Sequence, residues 1–373
     1  MAATYRGLQG IDDDLARQRA FVQGRSESYV RALDLLPGVL AGDAGAAIRQ
    51  DWAARTFTAW YDRPLLLLAA LRADALATGQ AHPLHAAFTG EHPDPGAVSA
   101  GALAAALAPE RARLHEDLRR RGVQTNETSR AVAWLWPARL LELGTAARPL
   151  ALVDLGASAG LNLVADELPD VWTDETGAPL EVAGPISAVA RLGLDAAPLD
   201  ATDEEDSRWL LACVWPGETH RELRLVRAVT AFKVARTRLD APVLAPVRAR
   251  GWPERLDLLS GTHTDAVVLA YQTIVRDYIH EDERREYEDG MRAWIATHPP
   301  GRALWVELEL VPDAGPGQAA LQLTRRDADG LVRTRRLARC HPHPTRLERD
   351  AAAVAELVRL SPPPAGAGLH PPA

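Results

Sequence analysis

Apolar positions recur at helical spacing through the first third of the chain. Leu15, Ala16, Ala20 and Phe21 begin an amphipathic pattern around Arg19, Tyr29 to Leu36 continue it, and Trp52 to Trp60 and Leu65 to Leu76 repeat it. Pro37-Gly38, Gly79 and the stretch from His92 to Gly96 punctuate these segments. No run of alternating β-branched residues falls between positions 12 and 120, so this region is predicted to be helical with no sheet. A charged helix from Pro109 to Arg121 stops at Gly122, and another is expected from Ala131 to Leu143.

The pattern changes at Leu150. Leu150 to Leu155 is a short apolar run that reads as a buried strand, followed by small residues and then by Leu161, Leu163 and Val164 at helical spacing. Val171 to Glu175 suggests a second strand ending in an acid, Pro242 to Arg248 a third, and Thr264 to Thr273 the clearest strand after the first. Between them lie an insertion at about 184–216 and an amphipathic helix from Glu218 to Leu239. A charged helix over Glu281 to Thr297, a strand over Leu304 to Leu310 and a hairpin formed by Leu321 to Arg325 and Leu331 to Arg336 around Asp329-Gly330 close the pattern. The expectation is an α/β protein: a mostly parallel sheet with a terminal antiparallel hairpin, preceded by an all-α cap. The boundaries read as cap 1–122, core 123–348 and C-terminal helix with tail 349–373, where the Pro- and Gly-rich run from Pro362 is expected to be disordered.

Composition narrows the function classes. The chain has 373 residues, a formal net charge of −8 and a single lysine, Lys233, and it carries no contiguous basic stripe, which argues against nucleic acid as a partner. Cys213 and Cys340 stand far apart and in no metal-ligand spacing. The N-terminal residues lack the pattern of an export signal, and the most apolar run, Pro64 to Leu71, is too short to cross a bilayer, so a cytoplasmic protein acting on a small molecule is expected.

The turn after Leu155 is the candidate site. Gly156, Ala157 and Gly160 leave room for a ligand to approach the backbone, and the following helix start would offer unpaired N–H groups. The dinucleotide fingerprint G-x-G-x-x-G fails at Ser158 and Leu161. The nucleophile elbow G-x-S-x-G is satisfied by Gly156 to Gly160, which makes Ser158 a candidate hydrolase nucleophile with a late histidine from His341-Pro342-His343-Pro344 as its base. An α/β-hydrolase, however, places several strands before its elbow, and none are expected here. A metal at those histidines is disfavoured, since no carboxylate or cysteine stands in fixed spacing nearby. Asp154 to Gly160 also resembles D-x-G-x-[GS]-x-G, the first motif of class I S-adenosylmethionine-dependent methyltransferases.

That resemblance extends to more than one motif. The Gln124-Thr125-Asn126-Glu127 segment, the glycine turn, Arg191 to Asp195, Pro198 to Asp203 and Trp209 to Pro216 together resemble a large bacterial family of uncharacterised proteins with a methyltransferase-like fold, over nearly the whole chain to His341. The resemblance implies S-adenosylmethionine as cofactor, with Asp154, Gly156, Ala157, Ser158, Gly160 and Asn162 at its turn. Asn126 would grip its amino-acid end and Asp174 its ribose. Arg191 and Asp195 are candidates to line the acceptor pocket, and Tyr271, Gln272 and His263 are candidates for the general base or an orienting amide. Many relatives carry Gly-Asp-Ala after the third strand; this chain has Arg248 to Pro253, with Trp252 a candidate to stack on a base. The expected function is methyl transfer to O or N of a small molecule. The alternatives are a serine hydrolase or a protein that binds S-adenosylmethionine without methylating.

Overall fold

The computed structural model describes residues 5–238, 240–311 and 317–360, and these fall into two compact units: 5–125 with Thr202–Val226, and Asn126–Ala201 with the described residues of 227–360. The first is helical, with helices at Ile11–Val22, Glu27–Leu40, Asp43–Asp51, Asp62–Thr78, His85–Phe88, Ala100–Ala106 and Ala112–Arg120. Three expectations fail there, the first being that the region has no sheet, since Thr56–Phe57 is a strand. Pro37 sits inside the last turns of a helix instead of ending it, and the Trp52 to Trp60 stretch is not helical. Trp52 is fully buried with its indole N–H on the Leu118 carbonyl at 3.0 Å, and Thr56–Phe57 pairs antiparallel with Tyr5–Arg6 as a two-residue ribbon. The aromatic spacing that imitated a helix is that of core anchors on a turn.

The segment Thr202–Val226 belongs to this helical unit, not to the core insertion expected at 184–216. Buried charge explains the attachment. The Arg72 guanidinium, 1% exposed, reaches the Phe88 carbonyl at 2.9 Å, the Leu211 carbonyl at 2.9 Å, the Val214 carbonyl and the Glu222 carboxylate. A cation so buried is tolerated only with all its donors engaged. Arg121 pairs with Asp206 at 2.7 Å, and the Trp209 indole donates to the Gly122 carbonyl at 3.0 Å.

The second unit is built on an eight-stranded sheet: β1 Leu150–Leu155, β2 Ala188–Asp195, β3 Val243–Pro246, β4 Val267–Thr273, β5 Ala303–Leu310, β6 Ala319–Arg326, β7 Val332–Cys340 and β8 Leu347–Arg349, in the order 8-7-6-5-4-1-2-3. β1 to β5 run parallel, and β6 to β8 add an antiparallel meander. The chain steps outward from β1 to β3 and then returns to the other side of β1 at β4, so the direction of winding reverses between β1 and β4.

Most predicted elements appear, with three differences. The second strand is β2, inside the supposed insertion, whereas Val171 to Glu175 supplies only isolated bridges at Thr173. The segment after the glycine turn is a 3-10 helix, Leu161–Glu167, not an α-helix. The helix expected to reach Leu239 spans Thr219–Ala235; Leu239 and the tail from Pro362 lie outside the described residues.

Each face of the sheet has its own core. On one, Leu152, Leu269, Tyr271 and Val306 pack with Trp134 and Trp172; on the other, Val153, Val268, Ala270 and Trp305 pack with Trp252, Tyr287 and Met291. Burial on both faces is why β1 reads as a continuous apolar run without alternation. Among the described residues no helix is long and apolar enough to cross a membrane.

Candidate functional site

Beyond Leu155 the chain makes three left-handed residues, Gly156 at φ +78°, Ser158 at φ +51° and Gly160 at φ +70°. The room expected for a ligand beside these glycines is taken, on the side where a Cβ would stand, by the chain's own side chains. A Cβ on Gly156 would lie 2.7 Å from Val275 Cγ2, and one on Gly160 would lie 2.7 Å from Leu244 Cδ2. The turn's amides are likewise engaged inside the protein: Gly156 and Ala157 donate to the Leu194 carbonyl at 2.7 and 3.1 Å, and Ser158 donates to Asp195 Oδ2 at 2.8 Å. Asn126 Nδ2 donates to Ser158 Oγ at 2.8 Å, so the polar segment before the core does reach the glycine turn.

Two acids stand at the carboxyl ends of adjacent strands on one face of the sheet. Asp154, beside Tyr271 in β4 and Gly193 in β2, is 3% exposed, and among the described residues no N–H group donates to it. Burial pushes its carboxyl up to about 7; the Tyr271 hydroxyl opposes the rise and the Asp195 carboxylate adds to it. The Tyr271 hydroxyl is fully buried, within electrostatic reach of Asp154, and among the described residues has no hydrogen bond of normal geometry. Asp195, at the end of β2, is half-buried, and its oxygens accept from the Ser158 and Ala197 amides at 2.8 and 2.9 Å.

Asp195 therefore occupies the position assigned to Asp174. Asp174 follows no strand. Its Oδ1 accepts from the Thr176 hydroxyl and the Thr176 and Ala178 amides at 2.6, 2.8 and 3.0 Å, and its Oδ2 meets Arg349 at 2.6 Å. The Thr176 hydroxyl foremost, then the two amides and Arg349, hold it below the usual carboxylate range. It closes a turn. Asp174→Ala is expected to lower the urea midpoint and to leave any ligand affinity unchanged, which denaturation and calorimetry would check together.

Three further site assignments do not survive. Arg191 does not face a pocket: it is buried, forked onto Asp166 at 2.8 and 2.9 Å, and donates to the Leu163 and Ile186 carbonyls. Gln272 lies on the opposite face from Asp154 and Tyr271, with its amide saturated by Trp305, Tyr287 and Glu309. His263 precedes β4, whereas the glycine turn follows β1, and the length of a seven-residue strand, about 20 Å, separates those two edges. Trp252 is also unavailable for base stacking, being buried edge-to-face on Tyr287 at 5.2 Å. Asn162 stays near the turn; its carbonyl accepts from the Trp134 indole at 2.9 Å and its buried Oδ1 has no hydrogen bond among the described residues.

The late histidines do not complete an elbow. The side-chain bond on Ser158 Oγ comes from Asn126, while His343 Nδ1 lies 3.0 Å from Glu127 Oε2 and His341 Nδ1 accepts the His343 amide at 3.1 Å. Among the described residues no group of three or more His, Cys, Asp and Glu is disposed to hold a metal ion. One signal for the true second strand was present in the sequence. The run Arg191-Leu-Gly-Leu-Asp195 ends in an acid just as Leu152-Val-Asp154 does, and a glycine inside a strand marks close approach. A Cβ on Gly193 would lie 2.4 Å from Leu244 Cδ2 and 2.8 Å from Ala157 Cβ. Val275, which backs Gly156, carries no signal of its own.

A family model described as "Uncharacterized protein conserved in bacteria (DUF2332)" matches residues 14–349. No curated protein and no solved structure matches the chain.

Proposed function

The chain belongs to this uncharacterised bacterial family, and because membership assigns no reaction, we propose from the site itself that the protein is an S-adenosylmethionine-dependent methyltransferase with a class I core, acting on O or N of a small molecule. The observation that carries the reading is the pair Asp154 and Asp195, at the carboxyl ends of adjacent parallel strands, flanking the glycine turn where the winding reverses. Open α/β sheets bind ligands at that edge and at that reversal.

The residues present fit the cofactor. Each Asp195 oxygen accepts one amide and keeps a free lone pair, which suits two vicinal ribose hydroxyls. Asp154 is a buried acceptor with no N–H donor among the described residues, which suits an ammonium group. Asn126, fixed on Ser158, borders the same turn. When bound, S-adenosylmethionine supplies a methyl group already activated at its sulfonium centre. The protein must then hold the acceptor in line and take up a proton. Of the three base candidates only Tyr271 stands beside this turn; burial first and then the Asp154 carboxylate push its hydroxyl well above its ordinary value, so it suits a proton-bearing orienting group and not a base.

Calorimetric titration with S-adenosylmethionine and S-adenosylhomocysteine tests the reading. Saturable binding is expected, weakened about tenfold in Asp195→Ala, the loss of one good charged hydrogen-bonding partner. No binding by folded protein would sink it, and labelling of Ser158 by a fluorophosphonate would then move the assignment to a hydrolase. Binding without turnover on a broad acceptor panel would leave a cofactor-binding protein that does not methylate.

A further inference from the structure

The chain leaves β4 through a corner that is costly to form. Ile274 has φ +53°, a left-handed conformation that a β-branched residue rarely adopts, while its amide still pairs with the Leu308 carbonyl at 2.8 Å. The corner brings Val275 over Gly156, where its two methyls occupy the space a Cβ would need. Such a conformation persists only where its surroundings over-determine it.

The surroundings converge on one carboxylate. Glu309, on β5 and 3% exposed, accepts from the Val275 amide at 3.0 Å, from the Arg276 amide at 3.4 Å and from Gln272 Nε2 at 2.8 Å. Gln272 is in turn fixed by the Trp305 indole at 3.0 Å and the Tyr287 hydroxyl at 3.1 Å, and Arg276 by Glu307 at 2.7 Å. All three groups facing Glu309 are N–H donors, so only a residue with two acceptor oxygens can serve them.

We propose that Glu309 is the positioning residue of the candidate site: its carboxylate seats the Ile274–Arg276 corner against Gly156 and so sets the shape of the glycine turn, which it does not touch. The proposal rests on reading the β1–β4 edge as the ligand site. A charge is expensive to bury, and burial pushes the Glu309 carboxyl up; the Val275 amide, Gln272 and Arg276 act against that rise, so the same groups that need an acceptor favour its ionised form.

Glu309→Gln is nearly isosteric but leaves one neutral acceptor oxygen, which can keep the Val275 and Gln272 donors that share Oε1 while its NH2 faces the Arg276 amide. Amide hydrogen exchange of the full chain should then show Val275 and Arg276 exchanging about tenfold faster or more, from loss of charged hydrogen bonds. The informative amides are Gly156, Ala157 and Ser158, whose partners are Leu194 and Asp195. They should accelerate as well, while the helix Glu281–Thr297 is unchanged, and affinity for S-adenosylhomocysteine should fall about tenfold in parallel. Unchanged exchange at 156–158 in folded Glu309→Gln overturns the proposal. If that variant does not fold, Val275→Ala decides, since removing the seat alone must accelerate 156–158 and leave the Val275 and Arg276 amides protected; no acceleration overturns it equally. If the wild-type chain binds no S-adenosylhomocysteine, the cofactor reading fails while the exchange comparison still judges Glu309.

Discussion

Asp154→Asn should make the protein more stable above pH 7 and abolish its affinity for S-adenosylmethionine. The stability half follows from burial. An acid held up to about 7 in the folded chain, against an ordinary 3.8, binds its proton more tightly folded than unfolded. The folded state is therefore progressively penalised as pH rises from about 4 to about 7, and the penalty is constant above that. Its full size is about 4 kcal/mol, from the gap between the two values. Asn removes the penalty, and since among the described residues no N–H donates to Asp154, few interactions are lost in exchange. Wild type and variant should unfold alike near pH 4 and diverge up to pH 7, with the variant the more stable, in urea titrations at a series of pH values. A variant less stable at every pH would make the carboxylate a structural acceptor. A residue kept at such a cost to stability is the pattern of a functional site, and the binding half states which function: an ionised acceptor reserved for the cofactor's ammonium group.

The sequence made the parallel sheet and the glycine turn legible for the same reason. Strands buried on both faces, such as Leu150–Leu155, appear as short apolar runs ending in polar residues, and the longer run Pro64 to Leu71, a helix, is told from them by the helical pattern around it. The second strand was obscured because β2 contains a buried Arg and a Gly, neither typical of a strand. Arg191 is there to meet Asp166, and Gly193 to admit Leu244 and Ala157, and both reasons are tertiary. With β2 misplaced, the acid at its end was sought at Asp174, in a segment whose apolar Val171 and Trp172 suggest a strand. Residue type alone also could not say which face of β4 a side chain takes. Tyr271 and Gln272 are adjacent in sequence, yet one lies beside Asp154 and the other is locked into the network on the far face.

Gly156 separates two reasons for a glycine that the sequence cannot. Gly156→Ala is expected to cost about 1–2 kcal/mol for the left-handed backbone and about 1–3 kcal/mol for the overlap with Val275, and Gly156→Val to leave no folded protein. Val275→Ala alone should cost about 2 kcal/mol for two buried methyls. Combined with Gly156→Ala it removes both Cγ atoms that crowd the new methyl, leaving Val275 Cβ at 3.4 Å, an ordinary contact. The double variant should then be more stable than the sum of the single effects by about 1–3 kcal/mol, measured by urea denaturation. Additive losses would mean that the overlap is relieved elsewhere and that backbone strain is the whole cost. The folded double variant also answers the ligand question. Retained affinity for S-adenosylhomocysteine would mean that Gly156 exists for Val275. Lost affinity in a chain whose packing has been restored would mean that the ligand approaches the same backbone from its open side, and that one glycine meets both demands.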